Sequence, residues 1–128
     1  MINILVIDDD IEITNLLVKA LSRDTSHVRT AHNGQLGLQL LSKQHFDVVI
    51  TDILMPEIDG FEVIMAVKKM QPSPRLIVIT GGSERLASSF LSDIANAFKV
   101  QCILRKPFTI SELLNSVFLD EMQAEAVG

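Results

Sequence analysis

The chain has 128 residues, the size of one domain, long enough to bury a core without disulfides or a structural metal. Apolar residues make up 48% and charged residues 21%, which excludes a disordered chain, and the net charge of −5 with scattered Lys and Arg argues against a direct nucleic-acid footprint. The single cysteine, Cys102, fits a reducing, cytoplasmic setting, no apolar run reaches the ~18 residues of a membrane span, and Met1-Ile2-Asn3 does not open a signal peptide.

In chain order, the first element is the β-branched run Ile4-Leu5-Val6-Ile7, which reads as a strand. Ile13, Leu16, Leu17, Ala20 and Leu21 then recur at helical spacing on one face. A second strand covers 28–31, and Leu36, Leu40 and Leu41 mark a second helix. Val48-Val49-Ile50 is the third strand, and Phe61, Ile64, Met65 and Val67 form the third helix, with Asp59 placed to cap it. Pro72 and Pro74 end that helix before the fourth strand, Leu76-Ile77-Val78-Ile79. Leu86, Phe90, Leu91, Ile94 and Phe98 predict a fourth helix over about 83–98, and a fifth strand spans 100–104. Thr109-Ile110-Ser111-Glu112 reads as a capping box that opens a fifth helix through Leu113, Leu114, Val117 and Phe118. The domain is expected to fill 1–120, with 121–128 a frayed tail.

Strand and helix alternate five times, the pattern of a doubly wound α/β fold: parallel strands with helical crossovers on both faces. The first, third and fourth strands are solidly apolar, as strands covered on both faces should be. The second and fifth carry polar positions and read as edges, which gives the flavodoxin-like order 2-1-3-4-5.

In such a sheet ligands bind beyond the carboxyl ends of the strands. Asp8, Asp9 and Asp10 follow the first strand, Asp52 the third, Thr80 with Gly81-Gly82 the fourth, and Lys106-Pro107 the fifth. Any one of these has an ordinary structural explanation; Asp9 with Glu12, for instance, fits a capping box for the first helix. Together they converge on one rim. Clustered carboxylates repel one another unless a cation sits among them, and an oxygen-only donor set suits Mg²⁺. One carboxylate can then attack phosphorus, with Lys106 and the metal compensating the charge and the Thr80 hydroxyl donating a hydrogen bond.

These residues match a known pattern. The segments 4–10, Asp52-Ile53-Leu54-Met55-Pro56-Glu57-Ile58-Asp59-Gly60, Ile79-Thr80-Gly81 and Arg105-Lys106-Pro107-Phe108 make the chain resemble, over nearly its whole length, the receiver domain of two-component response regulators, in the single-domain CheY-like form. The resemblance implies Asp52 as phosphoacceptor. It also implies Asp8, Asp9, Asp52 and the Leu54 carbonyl as Mg²⁺ ligands, Thr80 and Lys106 as phosphate-contacting groups, and a cis Lys106–Pro107 bond. The donor would be a phosphohistidine on a sensor kinase or phosphotransfer protein. The chain would act as a signalling phosphoacceptor rather than as an enzyme on a separate substrate. Its output would be contact with a downstream protein, passage of phosphate along a relay, or a phosphate-responsive dimer surface.

Ile103 stands where the family usually has Tyr or Phe, so the readout cannot use an aromatic switch there. Two other readings share the rim. Asp8-Asp9-Asp10 contains the Asp-x-Asp of haloacid-dehalogenase-type phosphatases, which steady turnover of phosphomonoesters would reveal. A receiver that signals without phosphate would bind no Mg²⁺.

Overall fold

The computed structural model describes residues 1–53, 60–80, 96, 100 and 102–127. Within them the apolar runs form β1 (Ile2–Ile7), β2 (Ser26–Ala31), β3 (Val48–Asp52), β4 (Arg75–Thr80) and β5 (Cys102–Arg105). The helical stretches form α1 (Ile11–Leu21), α2 (Gly34–Lys43), α3 (Gly60–Lys68) and α4 (Ile110–Val127). The expected helix over about 83–98 lies outside the described residues apart from Asn96, as does the Asp59 cap. Every strand pair is parallel and the order is β2-β1-β3-β4-β5, as the composition of the strands suggested.

The two-residue period of the strands divides the core between the two faces. Leu5, Ile7, Val49, Leu76 and Val78 join Val63, Ile64 and Val67 of α3 and Leu41 of α2. Ile4, Val6, Ile50, Ile77 and Ile79 join Leu17 and Leu21 of α1 and Leu113, Val117 and Phe118 of α4. The three central strands are buried through most of their length, while β2 and β5 expose part of theirs.

The helix starts follow cap chemistry, and the structure shows which of the three consecutive acids Asp8, Asp9 and Asp10 caps the first helix. Asp10, not Asp9, caps α1: its carboxylate accepts from the backbone N–H of Glu12 at 3.0 Å and of Ile13 at 3.3 Å. The helix begins at Ile11, so the residue directly before it holds the cap position. Asn33 caps α2 through the Leu36 N–H, and Thr109 accepts from the Glu112 N–H at 3.0 Å. At the other end, α4 stays helical through Val127, where a frayed tail was expected from residue 121. Met122-Gln123-Ala124-Glu125-Ala126 are all good helix formers, with no Gly or Pro among them to stop the helix.

Helix α2 reaches β1 because Gly37 has no side chain. A Cβ at Gly37 would lie 2.5 Å from Cδ1 and 2.9 Å from Cγ1 of Ile7, which is fully buried, so one of the two must shift within the core. Gly37→Ala is therefore expected to destabilise the fold by about 1–3 kcal/mol through overpacking, outweighing the ~1 kcal/mol that Ala gains in a helix. Urea denaturation checks this, and Ile7→Val should cost less in the Gly37→Ala background than alone, because it removes the nearest clashing carbon.

Candidate functional site

The strand period that divides the core also places the chemistry. Asp8 continues the series Ile4, Val6; Asp52 continues Val48, Ile50; Lys106 continues Leu104. All three thus leave their strand ends on the side of α1 and α4. Asp8, Asp52 and Thr80 are buried, whereas Asp9 is exposed.

Carboxylate oxygens of Asp8, Asp9 and Asp52 lie within 4.8 Å of one another. Lys106 Nζ stands 3.6 Å from Asp8 Oδ2 and 3.7 Å from Asp52 Oδ2, so one ammonium faces two acids. Its backbone is held by the Lys106 N–H, which donates to the Thr80 carbonyl at 2.8 Å. The Lys106–Pro107 bond is cis, as the resemblance implied. The acidic loop is braced from within: Asp8 Oδ1 accepts from the Asp10 N–H at 2.9 Å, and the Thr14 hydroxyl donates to the Asp10 carbonyl at 2.9 Å. Thr14 was not singled out in the sequence, where a Thr in the first turn of a helix gives no sign of its partner. Leu54 lies outside the described residues.

Burial pushes the Asp8 carboxyl above its ordinary range. The Asp10 N–H and the Lys106 ammonium oppose the rise, and the charges of Asp9 and Asp10 add to it. Asp8 Oδ2 is buried and has no hydrogen-bond partner among the described residues. Such an oxygen costs stability unless a donor or a cation meets it. Three carboxylates against one ammonium leave the pocket net negative, and every acidic donor is a hard oxygen. The site therefore fits a hard divalent cation, with Asp8, Asp9 and Asp52 as its protein carboxylates.

Beside the pocket is an apolar cavity of about 370 Å³ lined by Ile13, Leu16, Lys106, Pro107 and Phe108. Among the residues whose side chains are described, Ile11 (68% exposed), Leu16 (45%) and Ile110 (43%) are the large apolar ones exposed on α1 and α4.

Residues 4–118 match the family of response regulator receiver domains. The response regulator receiver protein CpdR of Brucella abortus is 32% identical over 117 residues, which are 91% of this chain and 94% of its own. A receiver domain protein from Clostridium thermocellum superposes with a TM-score of 0.78 at 29% identity, over 100% of both chains. The response regulator TrrA from Thermotoga maritima, solved in complex with Mg²⁺-BeF, gives a TM-score of 0.76 at 32% identity over 91% of this chain and 96% of its own. Other curated relatives are longer, and the chain spans 23% to 50% of those.

A carboxyl whose folded pKa is raised binds more protons folded than unfolded. Its contribution to stability therefore falls as pH rises from the usual carboxylate range through the raised value, and its full cost is present above that. Asp8→Asn is expected to raise stability in the absence of divalent cations at neutral pH. The gain should shrink as pH drops through the raised value and vanish below the usual carboxylate range. Thermal melts across pH, with a chelator present, measure it.

Proposed function

Because the chain belongs to the response regulator receiver domain family, we propose that it accepts a phosphoryl group on Asp52 from the phosphohistidine of a sensor kinase or phosphotransfer protein, with Mg²⁺ bound by Asp8, Asp9 and Asp52. The observation that carries this reading is the Asp52 carboxylate, grouped with two further acids and 3.7 Å from Lys106 Nζ at the carboxyl end of the sheet. An Asp52 oxygen forms the new bond to phosphorus as the P–N bond breaks. The bond's electron pair stays with the nitrogen, and the imidazole leaves neutral because the donor reacts as a phosphoimidazolium, already protonated on its other ring nitrogen. When bound, Mg²⁺ supplies positive charge for the phosphoryl oxygens.

The protein's own groups do the rest. Lys106 pairs with Asp52 before transfer and is within reach of the phosphoryl oxygens once the Asp52 charge has passed to them. Thr80, buried at the end of β4, offers a hydroxyl to the same group. Burial of Asp8 and Asp52 keeps water from competing for these charges. The chain is consumed and regenerated as a phosphoacceptor and acts on no separate substrate. Its output is contact with a downstream protein or onward transfer of the phosphoryl group.

Incubation with acetyl phosphate and Mg²⁺, followed by intact-mass measurement, tests the assignment. One phosphoryl adduct on the native chain and none on Asp52→Asn is the expected result. An adduct that persists in the variant, or continuous turnover of phosphomonoesters, overturns it.

A phosphohistidine must approach Asp52 across the rim, and the apolar surface of exposed Leu16 with the cavity it lines beside Lys106 flanks that route. We place the donor protein on this surface. Leu16→Glu should slow transfer from a phosphorylated donor protein at least ~10-fold, the effect of about 1.4 kcal/mol of lost contact. Labelling by acetyl phosphate, which needs no docking surface, should stay at the native rate.

A further inference from the structure

Among the described residues the buried polar side chains are Asp8, Asp52, Thr80, Ser26, Ser116 and Thr51. Asp8 and Asp52 belong to the pocket, and Thr80 ends β4, where its carbonyl accepts from the Lys106 N–H. Ser26 and Ser116 donate to the carbonyls of Leu21 and Leu113, local bonds at helix turns. Thr51 is different. It is fully buried on β3, in register with Ile7 of β1 and Val78 of β4, and it follows Val49 in the apolar layer beneath α2 and α3. A valine has the same shape, suits a strand as well, and would bury no hydroxyl.

The Thr51 hydroxyl donates to the carbonyl oxygen of Asp52 at 3.0 Å. The direction of that carbonyl follows from the sheet. The Ile53 N–H donates to the Ile79 carbonyl on β4 at 3.0 Å. Successive residues of a strand between two parallel neighbours address opposite sides, so the Asp52 carbonyl faces the β1 side, where Asp8 and Asp9 follow the strand. The peptide unit joining Asp52 to Ile53 thus lies on the seam between the acceptor strand and the acidic loop. A hydroxyl from the opposite face of the sheet is bonded to it.

We propose that Thr51 is a positioning residue for the site. Its hydroxyl fixes the peptide plane after Asp52, and so fixes the backbone from which that carboxylate reaches toward Asp8, Asp9 and Lys106. The consequence for phosphoryl transfer rests on the phosphoacceptor reading above; the consequence for cation binding and for the backbone does not. Supporting groups one step behind metal ligands set ligand geometry, and their loss weakens metal binding by roughly 10–100-fold.

The test compares the native full chain with Thr51→Val and Thr51→Ser. It reads four quantities: the carbonyl carbon resonance of Asp52, the affinity for Mg²⁺ from amide shifts, the rate of adduct formation with acetyl phosphate, and stability in urea without Mg²⁺. Thr51→Val should displace the Asp52 carbonyl resonance, weaken Mg²⁺ binding about 10-fold and slow adduct formation, while remaining at least as stable as the native chain. Thr51→Ser, which keeps the hydroxyl and loses only the methyl, should restore the first three and lose some stability. Native Mg²⁺ affinity and an unmoved resonance in Thr51→Val overturn the proposal. So does Thr51→Ser failing as badly as Thr51→Val, which would put the effect on packing. Should Val not be accommodated, Thr51→Ala against Thr51→Ser makes the same comparison. A native chain that takes up no phosphoryl group overturns the phosphoacceptor reading alone, since the resonance and the Mg²⁺ affinity still decide the role of Thr51.

Discussion

The Asp8 carboxylate is fully buried, and one of its oxygens meets no hydrogen-bond donor among the described residues. An apolar strand delivers it there. β1 is buried through Ile7 because it lies between two neighbours and under helices on both faces, and the residue that follows Val6 on the α1–α4 face is an acid. The fold carries the cost of that placement on the strength of two hydrophobic layers. The remaining features of the rim answer it. Asp10 turns its N–H onto Asp8 Oδ1, which uses one lone pair. Lys106, carried on the far side of the sheet by β5 and held to Thr80, brings an ammonium to 3.6 Å from the other oxygen without bonding it. Asp52, on the strand between, adds a second buried charge rather than neutralising the first. A pocket built this way leaves a buried negative oxygen that a hard cation fits.

Much of this could be read from the sequence because it depends on period and order. Alternation within each strand decides which residues share a face, and the polar positions in β2 and β5 identify the edges; together they bring Asp8, Asp52 and Lys106 to one rim. What was left open or missed depends on single hydrogen bonds. A capping-box spacing favours Asp9 with Glu12, but where the strand stops and the helix starts decides which of three consecutive acids caps, and that residue is Asp10. The consequence is a division of labour among identical side chains: Asp8 inward, Asp9 toward the cluster, Asp10 to the helix. Thr14 and Thr51 gave no signal, since a threonine in a first helical turn or in a strand is ordinary until its partner is known.

The two faces of the sheet hold their contents differently, and this bears on how a change in the pocket could travel. On the α2–α3 side the contact is close: Gly37 lies directly against Ile7, and Thr51 occupies the same layer, tied to the acceptor's backbone. On the α1–α4 side exposed Leu16 lines a cavity that reaches Lys106. A group arriving at Asp52 therefore meets a backbone fixed from behind and a cation that is free to shift in front. On the proposed chemistry the negative charge that Lys106 faces moves outward from the carboxylate to the phosphoryl oxygens. The lysine follows it, because one ammonium balances two acids only while both charges stay in place. Its backbone is joined to the end of β4 through the Thr80 carbonyl, so that shift bears on β4 and β5. Ile103, half-buried on β5 opposite Val78, sits on that path. It has no ring to swing and no hydroxyl to re-bond, so what it can transmit is displacement of the edge strand itself.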